Sequence, residues 1–144
     1  MFKHILIATD GSEVASKAVS AGLKLAKKLA ARVVVMTASE PLPTRVSVET
    51  IAANFPQEYE KATTASAAKI LGEVRREALT VGIECETLHV RHFPAEAIIE
   101  TAKANACDLI VMGSHGRRGI ARLLLGSQAT KVVTLSSVPV LVCR

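Results

Sequence analysis

The stretch Leu109-Ile110-Val111-Met112-Gly113-Ser114-His115-Gly116 sets the reading of the whole chain. Its first half is a continuous apolar run, and its second half is glycine and small polar residues. Apolarity without alternation marks a strand of a parallel sheet covered on both faces, because neither face meets water. Three more short runs share the pattern: Ile5-Leu6-Ile7-Ala8, Val33-Val34-Val35-Met36, and Val138 to Val142. Glu84 to Val90 alternates polar and apolar residues, as a more exposed edge strand does.

Helical periodicities lie between these runs. Val14, Ala18, Gly22, Leu25 and Leu29 recur about once per turn. Ala67, Leu71, Val74, Ala78 and Val81 do the same, with Gly82 placed to stop the helix. Pro94 suits a first helical turn leading into Ala95, Ile98, Ile99, Ala102 and Ala106. A last helix carries Ala129, Val132, Val133 and Ser136 and ends before Pro139. Such alternation of strands and helices implies crossovers and a doubly wound α/β sheet. Glu40 to Pro56, with Pro41, Pro43 and Pro56, reads as a long loop. No repeat or linker divides residues 1–144, so one domain is expected.

Composition narrows the class. The 144 residues are 49% hydrophobic but only 3% aromatic, so the core has to be aliphatic. No apolar run approaches the ~20 residues that span a bilayer. Met1 to His4 leads straight into a strand-like run without a signal-peptide layout. Cys85, Cys107 and Cys143 are odd in number and lack metal-type spacing; they are expected to be buried thiols in a cytoplasmic protein. The net charge of +5 permits an anionic partner, yet there is no basic stripe with interleaved aromatics. The single Tyr59 makes no stacking platform, so nucleic acid is not expected as a partner.

In an open parallel sheet, ligands bind beyond the carboxyl ends of the strands, where strand order reverses. Two segments fit that place: Thr9-Asp10-Gly11-Ser12 and the glycine stretch from Gly113. Gly113, Gly116 and Gly119 recur every third residue, where missing side chains admit positive φ and close approach of a ligand. Gly126-Ser127 opens the last helix, whose free N–H groups and dipole attract anions; the Ser127 hydroxyl adds a donor. Arg117, Arg118 and Arg122 surround the same place with positive charge. A loop that wraps a sugar and a helix end that takes phosphates describe a nucleotide site. The spacing is neither that of a P-loop nor that of a dinucleotide fingerprint.

Plainer readings stand beside this one. Asp10 or Ser12 could simply cap the first helix. The glycines could serve only turns, and the arginines could be solvated. No nucleophile–base–acid set assembles around His115, so its expected role is through the backbone and no catalytic residue is named. His89 and His92 lack a third ligand, so no protein metal site is expected.

Gly113-Ser114-His115-Gly116, nine residues, then Gly126-Ser127 fit the pattern G-x2-G-x9-G-[ST]. With Ile5 to Ser12 ("ILIATDGS"), Cys107 to Gly113 ("CDLIVMG") and Val138 to Val142 ("VPVLV"), the chain resembles the universal stress proteins, in their ATP-binding branch. The resemblance implies a single-domain, Rossmann-like, doubly wound five-stranded parallel sheet with helices on both faces. It also implies ATP across the strand ends, with Mg²⁺ carried by the phosphates. By position, Ala8 would line the adenine pocket, Ala38 would offer backbone atoms to the base, and Asp10 would lie near ribose and phosphates. Gly113, Ser114, His115, Gly116, Arg117, Arg118 and Gly119 would wrap ribose and phosphates. Gly126, Ser127 and Gln128 would hold the phosphate tail. One departure is local: "VMTASEP" ends the second run where members often have His-Val-Val.

The function so implied is a cytoplasmic, ATP-binding stress-response regulator, a nucleotide-dependent switch acting in a homodimer, with an unidentified protein partner. The short apolar segment Val138 to Cys143, as a sheet edge, invites pairing with a second chain. A slow ATPase or phosphotransferase is the alternative, against which stands the lack of a P-loop lysine. An interaction module without nucleotide is the other.

Overall fold

The computed structural model describes residues 1–42, 53–116 and 124–144. Strands and helices alternate along them: β1 (His4–Ala8), α1 (Glu13–Leu29), β2 (Arg32–Ser39), α2 (Phe55–Val81) and β3 (Glu86–Arg91). Then follow α3 (Pro94–Ala104), β4 (Leu109–Gly113), α4 (Ser127–Leu135) and β5 (Val140–Cys143). The strands form one parallel five-stranded sheet in the order β3-β2-β1-β4-β5. Strand order therefore reverses at β1, which lies between β2 and β4.

Alternate strand residues serve opposite faces, and both faces are covered. Ile5, Ile7, Val33, Val35, Leu109 and Val111 pack in the cluster that holds Ala18, Val19, Leu23 and Ala26 of α1 and Leu71, Val74 and Ala78 of α2. Leu6, Val34, Met36, Ile110 and Met112 pack with those of α3 and α4. Double coverage is why these strands read as unbroken apolar runs. Each fully buried aliphatic side chain contributes about 1.5–3 kcal/mol. The outer strands are only partly buried: β3 as its alternation predicts, but β5 (Val140–Cys143) contrary to the reading of Val138 to Val142 as a strand covered on both faces, because it lies at the sheet edge.

The expected stripe on α1 is rotated. Its buried residues are Ala15, Ala18, Val19, Gly22, Leu23 and Ala26, whereas Leu29 is exposed. Small side chains let the helix lie close on the sheet, and a pattern weighted toward leucine points to the wrong face. Helix α2 buries Ala67, Leu71, Val74 and Ala78 as expected, and Gly82 caps it at φ 78°. It starts at Phe55, however, so Pro56 belongs to its first turn and not to the loop. The expected loop is described only at 40–42 and 53–54; its middle lies outside the described residues. Ala106 lies past the end of α3.

Only Cys107 of the three thiols is buried; Cys85 and Cys143 are partly exposed, which corrects the expectation for those two. Burial, with help from the neighbouring Asp108 carboxylate, pushes the Cys107 thiol up to about 11, which makes it a weak nucleophile.

Asp108 ties the entry of β4 to that of β1. Its carboxylate accepts from the Lys3 N–H at 2.8 Å and the His4 N–H at 3.1 Å. Burial works to raise its pKa, but these backbone hydrogen bonds prevail and hold it below the ordinary carboxylate value. A group depressed in this way adds stability above its unfolded pKa and loses it as pH falls through the folded one. Asp108→Asn is expected to lower stability at pH 7 by about 1 kcal/mol. Urea unfolding at pH 7 and pH 3 checks this, with the difference from wild type shrinking at the lower pH.

Candidate functional site

The reversal of strand order opens a cleft above β1, and the turn after β1 forms its floor. Thr9 N–H still donates to Met36 O at 3.0 Å, and Gly11 follows at φ 78°. Ser12 is the N-cap of α1, its hydroxyl accepting from Ala15 N–H at 3.2 Å. Asp10 is therefore not the cap. Its Oδ1 accepts from Ser12 N–H at 2.9 Å and shapes the turn. Its Oδ2 lies against Gly116, where an added Cβ would stand 2.4 Å away. The two segments singled out in the sequence thus meet at Asp10 and Gly116.

Beyond β4 the chain is held by backbone. Ser114 N–H donates to Cys143 O at 2.7 Å, and Gly126 N–H donates to Ser114 O at 2.6 Å. Neither Gly113 nor Gly116 has positive φ, contrary to expectation; Gly11 and Gly82 do, among the described residues. Close approach is what these positions require. Gly126 adopts φ −70°, ψ 166° as the N-cap of α4, and no side chain caps the helix there. Its own N–H is committed to Ser114, so the end of α4 that can face an anion starts at Ser127.

Ser114 is buried, with Oγ 3.0 Å from His115 Nδ1. A hydroxyl so enclosed is not presented to a ligand in the cleft. Arg117, Arg118, Gly119 and Arg122 lie outside the described residues.

The cleft has two compartments. The smaller, about 130 Å³, is mostly apolar and includes Ala8, Met36, Ala38, Ile98 and Met112 in its wall. The larger, about 490 Å³, is hydroxyl-rich, with Ser39, Tyr59, Thr63, Ser66 and Ser127 in its wall. Asp10, Ala38, Pro94, Gly116 and Gln128 border both.

Ala38 is placed by strand register. Pairing of β1 with β2 ends at Ala8 and Met36, while β2 runs on to Ser39. Within a strand, the N–H and C=O of one residue point the same way and those of the next point oppositely. Met36 O faces β1, and Ser39 O accepts from His92 N–H on the β3 side at 3.1 Å. The N–H and C=O of Ala38 are thereby directed past the end of β1 into the cleft.

Gln128 sits in the first turn of α4, but its Oε1 accepts from Ala95 N–H of α3 at 3.1 Å. The same residue borders both compartments of the cleft. The walls given by Met36, Pro94, Ile98 and Met112 had no signal in the sequence beyond core periodicity. Tyr59, Thr63 and Ser66 did carry one: a polar face at helical spacing (i, i+4, i+7). Among the described residues no group of three or more ligating side chains is placed to hold a metal ion, and no helix is long and apolar enough to cross a membrane.

Sheet order, covered faces and cleft define a doubly wound α/β protein with a ligand cleft at the reversal of strand order. The chain belongs to the universal stress protein family, whose sequence profile matches residues 1–144. It is 38% identical to the universal stress protein in the QAH/OAS sulfhydrylase 3′ region of Thermus aquaticus, across 100% of both chains. It is similar to solved MJ0577 of Methanocaldococcus jannaschii, with 30% identity and a TM-score of 0.83 over 99% of this chain and 96% of that one. A universal stress protein crystallised in complex with cAMP is 28% identical, with a TM-score of 0.75 over 99% of this chain and 97% of that one.

Proposed function

We infer that residues 1–144 act as one adenine-nucleotide-binding domain, with a regulatory rather than a catalytic role in the stress response. One observation carries this: an apolar slot bordered on one side by the outward N–H and C=O of Ala38 and on another by the N-terminal turn of α4. Adenine has a flat apolar face and a donor–acceptor edge, so it suits the slot and the Ala38 backbone together. The phosphates then reach Ser127 and the end of α4, where helix dipole and N–H groups favour negative charge. Asp10 and Gly116 border the ribose. A relative 28% identical crystallised in complex with cAMP, which supports an adenine nucleotide as the class of ligand.

ATP is the assigned nucleotide, on the motif completed by Gly126 and Ser127. Mg²⁺ travels with its phosphates; on the protein side Asp10 is the carboxylate that borders both compartments. The domain works in the cytoplasm as a homodimer paired through β5, whose Leu141 is 40% exposed. Nucleotide occupancy sets the affinity of that dimer for a protein partner.

The protein, purified without added nucleotide and denatured, should release adenine nucleotide on anion-exchange chromatography, or bind ATP with Mg²⁺ when titrated. Neither release nor binding would overturn the assignment. Gly116→Ala offers a sharper test, because a Cβ 2.4 Å from Asp10 Oδ2 forces that carboxylate aside without touching the core. A tenfold or greater loss of ATP affinity with an unchanged melting temperature is expected, measured by calorimetric titration.

A further inference from the structure

Gln128 joins the two walls of the cleft, and its side chain serves both. Helix α3 begins at Phe93-Pro94 without a cap from its own sequence. Phe93 has no side-chain oxygen, and Pro94 has no N–H. Ala97 N–H reaches back to Phe93 O. The Ala95 N–H is an orphan of the first turn, and it donates to Gln128 Oε1 from the other helix. The cap that α3 lacks locally is delivered by α4.

This fixes the orientation of the amide. Only the oxygen of a carboxamide accepts from an N–H, so Oε1 must face Ala95 and Nε2 takes the other branch. Gln128 borders both compartments, beside Pro94 of the helix it caps. Lys131 and Glu96 pair between the same helices at the surface, so losing the amide would loosen this wall without parting the helices.

We propose that Gln128 has two tasks at once: Oε1 caps α3 and sets the wall carrying Pro94 and Ile98, while Nε2 donates to an acceptor on the nucleoside part of the bound nucleotide. The second task rests on the adenine-nucleotide reading above; the first does not.

Two variants separate the tasks. Gln128→Glu keeps an oxygen for Ala95 but replaces the donor, and Gln128→Met removes both at similar length. Amide exchange at Ala95, followed by NMR, is expected to quicken tenfold or more in Gln128→Met and to stay as in wild type in Gln128→Glu. Adenosine, which carries no charge to be repelled, is expected to bind at least fivefold more weakly to both. Unchanged exchange in Gln128→Met overturns the cap. Adenosine bound by Gln128→Glu as by wild type, with a loss confined to ATP, means charge repulsion alone and overturns the donor. A wild-type protein that binds neither adenosine nor ATP overturns the nucleotide reading and the donor together, and Ala95 exchange still decides the cap.

Discussion

Gly126→Val is expected to weaken ATP binding about 100-fold, some 2.7 kcal/mol at ~1.36 kcal/mol per factor of ten. The reason is space, since φ −70° and ψ 166° are open to any residue. A Cβ at Gly126 would stand 3.0 Å from His115 Cβ, 3.2 Å from His115 Cα and 3.3 Å from Ser114 O. Two of these three atoms are backbone and cannot swing away. The branches of valine enlarge the conflict, so the segment after β4 and the first turn of α4 have to separate. Their separation breaks the short bond from Gly126 N–H to Ser114 O and moves Ser127 from the position proposed for the phosphates. The sheet lies below this contact, so circular dichroism should show a retained fold. Gly126→Ala, with one carbon, is expected to lose about tenfold. An ATP affinity equal to wild type in Gly126→Val would place the phosphates elsewhere.

Leu6→Ala is expected to lower stability by about 3 kcal/mol. Leu6 is fully buried at the centre of β1, in the cluster that also holds Ile98, Ile110 and Val132. Removing a buried leucine forfeits its transfer free energy and leaves a cavity that helices on one face and strands on both sides cannot close. For a chain of this size the melting temperature should fall by roughly 10 °C, at about 2–4 °C per kcal/mol. Leu141→Ala on the edge strand β5 serves as the comparison, because that side chain is 40% exposed. Its loss should stay below about 1 kcal/mol in a dilute sample. Equal losses at the two positions would contradict the assignment of the core to β1.

The fold was legible because burial on both faces writes itself as unbroken apolarity. Ile5 to Ala8 and Leu109 to Met112 carried that signal, and the glycine after each set the place of the cleft. Two helices were read less well, for opposite reasons. The inner face of α1 combines Val19 and Leu23 with the small residues Ala15, Ala18, Gly22 and Ala26, and the small ones give little hydrophobic signal. The first turns of α2 bury almost nothing, so Phe55 to Ser66 left no apolar stripe to detect.

At the cleft, the sequence brought out residues on more than one of its walls. Ala8, Asp10, Ala38, Gly113, Gly116, Ser127 and Gln128 border the cavities, as does His115. It misjudged part of why the loop glycines are needed, since space rather than positive φ governs Gly113 and Gly116. The bond from Ala95 to Gln128 was invisible for a different reason. No periodicity links positions on two helices brought together only by the fold, so nothing in the sequence shows that α4 supplies the acceptor for Ala95 N–H.

The most direct test is a titration of ¹⁵N-labelled protein with ATP and Mg²⁺, read by amide chemical shifts. The largest changes are expected to gather at Ala38, Gly113, Gly116, Ser127 and Gln128, around the reversal of strand order. Changes gathered elsewhere, or no changes at millimolar ATP, would contradict the proposed nucleotide site.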